Sequence, residues 1–308
     1  MHWIPKLIKF LVLMAPFMGT CISIYCVVTG KVKRKDVIFT YVYFLIGGLG
    51  ITVGFHRLLT HSSFETTRPI KAALLTIASM MWQGSVLFWT ATHRAHHRFA
   101  DMIGDPHSPW AGFSSRFRGF LWSHFLWLIE PDNTDRDTYV PVEQEDALVM
   151  TIDRLFPVCA FLSIAIPVWM RGKRGALCAL TAIFFVQHVT MSVNSVCHIW
   201  GSRLFQEVRN RSVNNWVVGF LGLGEGWHNN HHAYQNSAFQ GFLWWQFDLS
   251  GWFILILEKL GLATHVVRPK LSVLIKFSGD PDLGTKINSL FVECDVDPRI
   301  SHPELVAA

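Results

Sequence analysis

The sequence predicts an all-α integral membrane protein, with four transmembrane helices and a cytoplasmic helical cap that holds a polyhistidine dimetal site. Three observations predict it. Of 308 residues, 51% are hydrophobic and only 16% charged, well below the roughly 25% charged content of a soluble domain. Several runs of near membrane length carry little or no charge. Eight of the fifteen histidines fall in three packets: His56 and His61; His93, His96 and His97; His228, His231 and His232.

The elements follow in order. Residues 10–30 form a first apolar span, closed by Lys31, Lys33, Arg34 and Lys35. Lys6 and Lys9 precede that run, but it is too long for a secretory leader and is read as an uncleaved helix. Residues 37–55 form a second span, long enough at 1.5 Å per residue to cross about 30 Å of hydrocarbon. Gly47, Gly48, Gly50 and Gly54 thin it, for close helix packing or for a lipid chain alongside. Residues 70–92 are apolar, yet a full crossing would put the first two packets on opposite sides. They are read as a helix lying in the interface or re-entering from the same side.

Residues 98–150 are polar and form a water-facing cap. The third and fourth spans cover about 155–170 and 175–200, joined by Arg171-Gly172-Lys173-Arg174. The fourth carries His188, Asn194 and His198, which are costly in lipid; Asn194 and His198 share a helix face. Residues 239–262 are read as a membrane-surface helix. The membrane domain thus runs over 1–265, with its cap at 56–150 and 201–262. Residues 266–308 are a C-terminal extension, expected to be polar and loosely packed. This topology puts both basic connectors opposite the histidines. The positive-inside rule alone would place those connectors in the cytoplasm.

The net charge of +5 points to anionic headgroups or an acidic partner, not to nucleic acid. Six scattered cysteines match no zinc or disulfide spacing and fit a reducing compartment on the active side.

In the second and third packets the i, i+3 and i+4 spacing brings the imidazoles together on a helix. Three packets supply more ligands than one metal takes, so two metals are the natural count. All-imidazole ligation suits iron, zinc, copper or nickel. Beside a lipid-sized space, redox-active iron and oxygen activation fit best.

The packets read H-x4-H, H-x2-H-H and H-x2-H-H. With Gly54-Phe55-His56-Arg57, the run Thr92 to Phe99, Gly104-Asp105-Pro106-His107-Ser108-Pro109, the run Arg211 to Trp216, and Gly224 to His232, the chain resembles the membrane fatty acyl desaturases. The likeness covers roughly residues 50–250 and is nearest the bacterial members of the stearoyl-CoA branch. It implies two irons and O2 as co-substrate. One iron would be held by His56, His61, His93, His97 and His231. The other would be held by His96, His198, His228 and His232, with Asn194 acting through a water. It further implies a cis double bond, by default at position nine, in a fatty acyl substrate. Electrons would come from a separate protein such as ferredoxin, rubredoxin or cytochrome b5, since the chain carries neither a haem motif nor a dinucleotide motif.

Two basic pairs of the animal acyl-CoA enzymes are replaced here, at Ala91-Thr92 and Glu130-Pro131. Among the possible carriers (CoA thioester, lipid or acyl-carrier protein) this favours the last two. Asp101, Asp105 and Glu225 are expected to orient the ligands. His107 and His124 are not counted as ligands. His188 is read as a buried hydrogen-bonded residue, and His2, His265 and His302 as exposed. Trp82, Trp89 and Trp227 are candidate walls of the acyl tunnel. A lipid hydroxylase and a histidine-lined metal transporter are the rival readings. The transporter would require ligands inside the spans, and eight of the nine expected here lie outside.

Overall fold

A computed structural model describes residues 3–295, which are mostly helical; His2 and His302 lie outside them. Helix α1 (Trp3–Val28) runs away from the histidine end, and α2 (Arg34–Leu49) returns and continues as a π-helix over Gly50–Thr60. Residues 34–60 are therefore one apolar rod that carries His56 within it and ends immediately before His61. The span is longer than the expected 37–55, and His56 sits inside it.

Helices α3 (Arg68–Ser79) and α4 (Val86–Phe99) fold back on the same side. They are two helices, not the single one expected over 70–92. The break lies at Trp82 and Gly84, which have φ of +58° and +101°. The cap continues with α5 (Arg116–His124), α6 (Arg136–Tyr139), α7 (Pro141–Glu145) and α8 (Ala147–Arg154). Helix α9 (Phe156–Arg171) is bent by 60° from α8, and α10 (Lys173–Ser195) returns to the histidine end. Among the described residues, three helices are long and apolar enough to span a membrane, and a fourth span exists if α8 and α9 count as one. Phe10, Ile24, Val37, Phe161, Trp169 and Phe185 are exposed on these helices, as lipid-facing side chains are.

Gly50 and Gly54 act in close packing: a Cβ on Gly50 would lie 2.7 Å from the Ala78 nitrogen, and one on Gly54 3.0 Å from the Leu74 carbonyl oxygen. Gly48 instead faces Leu223 and lines a cavity.

The chain closes with α11 (Trp216–Leu221), α12 (His228–Ala233), α13 (Leu249–Lys259) and α14 (Leu271–Ser278). Only 249–259 of the expected 239–262 helix is helical. A two-residue antiparallel pair, β1 (Glu65–Thr66) with β2 (Ala263–Thr264), ties the chain after the first packet to the end of α13. The tail is not loose as far as it is described. Leu271, Leu274, Leu283 and Val292 are buried with Phe205, Phe242 and Leu243, and Phe291 stacks on Phe239. Leu271, Leu274 and Ile275 belong to the apolar run of α14 that packs there.

Candidate metal centre

The π-helix explains how the first packet works. In an α-helix, residues five apart point well away from each other. Here the His61 N–H donates to the His56 carbonyl at 3.1 Å, the i to i+5 bond of a π-turn. The wider turn brings the two rings to 4.8 Å between centroids. On α4, His93 and His97 are one turn apart and face one way, while His96 faces another. On α12, His228 and His232 pair and His231 diverges.

These divergences build two clusters. His56, His61, His93, His97 and His231 gather one ligand atom each within 4.8 Å of one another, and so do His96, His198, His228 and His232. In the first, Nε2 of His231 lies 3.2 Å from that of His56 and 2.9 Å from that of His97, with His93 and His97 at 3.0 Å. In the second, His228 lies 3.0 Å from both His198 and His232, and His96 3.3 Å from His232. Imidazole–metal bonds are about 2.1 Å, so neighbouring ligands at right angles stand roughly 3 Å apart. A hydrogen-bond network does not explain convergence of so many Nε2 atoms, since each neutral ring has one donor. The Nε2 of His61 is buried with no hydrogen-bond partner, as a nitrogen directed at a metal would be. The donor set fits two metal ions.

Electrostatics keep the rings ready to ligate. Burial, reinforced by neighbouring histidines, holds His93, His97, His228, His231 and His232 well below the ordinary imidazole value. They are neutral near pH 7, with a lone pair free. Burial also opposes charge on His96, but the Asp105 carboxylate outweighs it and moves the value up.

The three acidic candidates each meet a ring. Nδ1 of His96 donates to Asp105 at 2.9 Å and Nδ1 of His198 to Asp101 at 2.9 Å, while Nδ1 of His56 contacts Glu225. Such contacts fix the tautomer that leaves Nε2 free. Burial would raise all three carboxyls, but His96 holds Asp105 low, His198 holds Asp101 low, and His56 with Arg57 holds Glu225 low.

Asn194 lines the two cavities that reach the rings. His107 stacks on His96 at 4.4 Å and makes, with His96 and Asp105, a third group spaced for metal binding. His188 Nδ1 meets His124 Nε2 at 3.1 Å, away from both clusters. His265 is exposed beside Glu65.

Sequence reasoning missed the frame around the rings. Arg57, 1% exposed, bonds Glu225 at 3.0 Å, Asp248 at 2.9 Å and the Ala238 carbonyl at 2.8 Å. Arg94 joins the Thr60 carbonyl to Glu143. Asn214 receives the backbone N–H groups of Asn229 and Asn230 and fixes the start of α12. The signal was present: a charged residue directly after His56, and two asparagines between histidines.

An apolar cavity of about 250 Å³ runs from Ile8, Lys9 and Val12 of α1 past Phe88 and Trp89 to His93 and Asn194. A more polar cavity of about 650 Å³, lined by Glu130, Asp132 and Trp127, adjoins it and shares Lys9, Phe88 and Thr92. A narrow third space lies between α2 and α10, lined by Phe44, Ile51, Val189 and His228. Trp82 and Trp89 line the apolar cavity. Trp227 does not; it is buried against Trp245 and donates to the Phe247 carbonyl.

Comparison with known proteins fits this geometry. The family model described as fatty acid desaturase matches residues 37–255. An sn-1 stearoyl-lipid 9-desaturase of Anabaena variabilis is 39% identical over 73% of this chain and 80% of its own. Delta-9 acyl-lipid desaturase 1 of Arabidopsis thaliana is 33% identical over 86% and 82%. An sn-2 palmitoyl-lipid 9-desaturase of a Nostoc strain is 35% identical over 75% and 80%. Two convergent imidazole clusters, an apolar cavity ending on them and relatives of this kind agree: the chain belongs to the fatty acid desaturase family.

Proposed function

We propose that this membrane oxidoreductase inserts a cis double bond at position nine of a saturated acyl chain carried on a membrane lipid. The observation that carries the reading is the apolar cavity that ends on His93 beside two imidazole clusters. His56, His61, His93, His97 and His231 would hold one iron. His96, His198, His228 and His232 would hold the other, with Asn194 acting through a water. Bound iron, with O2 and electrons delivered singly, supplies the oxidising power that unactivated C–H bonds require.

The chain's own residues do the rest. Phe88 and Trp89 seat the methylenes, and the largely apolar lining disfavours water beside them. Asp105, Asp101 and Glu225 hold the Nδ1 protons and so aim the ligands. With four spans and a cytoplasmic cap, the centre would lie at the membrane surface, within reach of a donor such as ferredoxin, rubredoxin or cytochrome b5. The acidic rim at Glu130 and Asp132, together with the acyl-lipid names of the relatives, supports a lipid carrier over a CoA thioester.

Expression in a desaturase-deficient cell, followed by fatty acid profiling with double-bond location, tests this. A cis alkene at position nine is expected. A hydroxylated chain would replace the reading with the hydroxylase, and metal flux without a lipid product with the transporter.

A further inference from the structure

The membrane end opposite the histidines is strongly cationic. Its connectors carry Lys31, Lys33, Arg34 and Lys35, and Arg171, Lys173 and Arg174, with Asp36 as the only carboxylate among residues 31–36 and 171–174. Asp36 pairs with both Arg171 and Arg174, and Arg174 also donates to the Lys31 carbonyl at 3.0 Å. The connectors are thereby tied into one cluster, and one carboxylate is set against seven cations.

A groove of about 610 Å³ opens in that cluster, at Lys31, Asp36 and Arg174. It runs between α1, α2 and α10 to Phe44, Val189 and Leu221, which also line the narrow space beside the metal centre. Thr181 is spent on Ser23 at 2.8 Å and Thr40 on the Asp36 carbonyl at 2.9 Å, so below Tyr41 the interior offers a ligand mainly apolar contact. Asp36 to Phe44 is eight residues, or about 12 Å of helix. That is close to one leaflet's share, roughly 15 Å, of the hydrocarbon thickness. A basic mouth on a leaflet-deep apolar groove matches one chemistry, a negatively charged headgroup with an attached chain.

We propose that this groove binds an anionic phospholipid of the leaflet opposite the metal centre. Its phosphate lies on Lys31 and Arg174, and one acyl chain lies along α2 and α10 up to Phe44, Val189 and Leu221. The bound chain backs the wall of the narrow space beside His56 and His228. The inference rests on the charge cluster and the groove, and it holds whatever reaction the chain performs.

The test uses the full chain in detergent, with native mass spectrometry for occupancy and thermal unfolding for stabilisation. The probes are dioleoyl-phosphatidylglycerol, dioleoyl-phosphatidylcholine, oleate and inorganic phosphate. Phosphatidylglycerol should bind at least about tenfold better than phosphatidylcholine and raise the Tm by several degrees, with no such rise from oleate or phosphate. The Lys31→Gln/Arg174→Gln double variant should lose that preference. Because Arg174 also holds Asp36, a second variant, Leu177→Trp, fills the groove without touching a charge and should abolish the stabilisation. Equal binding of the two phospholipids overturns the proposal, as does a preference that survives both variants. Equal stabilisation by phosphate alone or oleate alone would assign the site to a simple anion or a fatty acid.

Discussion

Among single residues the nine imidazoles are the obvious ones, but Arg57 carries the frame. A fully buried guanidinium is tolerated because Glu225 and Asp248 both face it. Replacing it with Met leaves two buried carboxylates short of a partner, and breaking such a pair costs about 3–5 kcal/mol. An Arg57→Met variant should unfold at lower denaturant with an unchanged m-value, and equal midpoints would remove Arg57 from the frame. Asp105 acts more locally, through the Nδ1 of His96. The Asp105→Asn variant should bind iron roughly 10–100-fold more weakly, as read by chelator competition; an unchanged affinity would reduce Asp105 to a loop contact. The histidines were legible because imidazole is rare in oily sequence. Arg57 was not, since a cation next to a membrane span reads first as an interfacial anchor. Its role depends on Asp248, 191 positions away.

The elements differ in how plainly the sequence shows them. Apolar runs mark α1, α2 and α10 because a lipid-facing helix needs no polar face. The π-turns over Gly50–Thr60 leave no compositional trace, yet they alone bring His61 round to His56. The turn from α3 to α4 hides in the single apolar run 70–92, where Gly84 was the one clue. The C-terminal segment departs from the loose extension expected because Leu271, Leu274 and Ile275 of α14 meet the distant Phe205 and Phe242, a pairing that no local pattern announces. Close packing of α3 on the π-segment gives a direct test. Gly54→Leu drives a side chain against Leu74, and overpacking of this kind costs about 1–3 kcal/mol. The variant should show a lower Tm and a reduced metal content together; a normal Tm would mean that α3 can move aside.

For the whole molecule, the two ends of the helices have opposite jobs. One holds buried neutral rings and the other a cationic cluster. The neutral rings make stability pH-dependent when metal is removed. His107 and His124 are lowered by burial to about 3 and about 4, against an unfolded value near 6.5. The unfolded chain then binds more protons between those values, so the contribution is complete above about pH 6.5 and is lost as pH falls toward 4. Metal-free protein should therefore melt progressively lower from pH 7 to pH 4, and a flat profile would contradict the neutral-ring assignment. The proposed four spans and cytoplasmic centre further predict that reporters fused after residue 295 and at the N-terminus both score as cytoplasmic. A split result would break the even number of crossings. The sequence made the membrane class legible through composition, but α9 is only sixteen residues long, too short alone to decide between three spans and four.

Five and four imidazoles converge as two separate metal seats joined through α12. Elemental analysis of the purified, active chain, alongside the His231→Ala and His232→Ala variants, puts this to the test. The prediction is two irons per chain, with a loss of metal and of unsaturated product in each variant. A fully active chain with one metal, or a His231→Ala protein that keeps both irons and full activity, would contradict it.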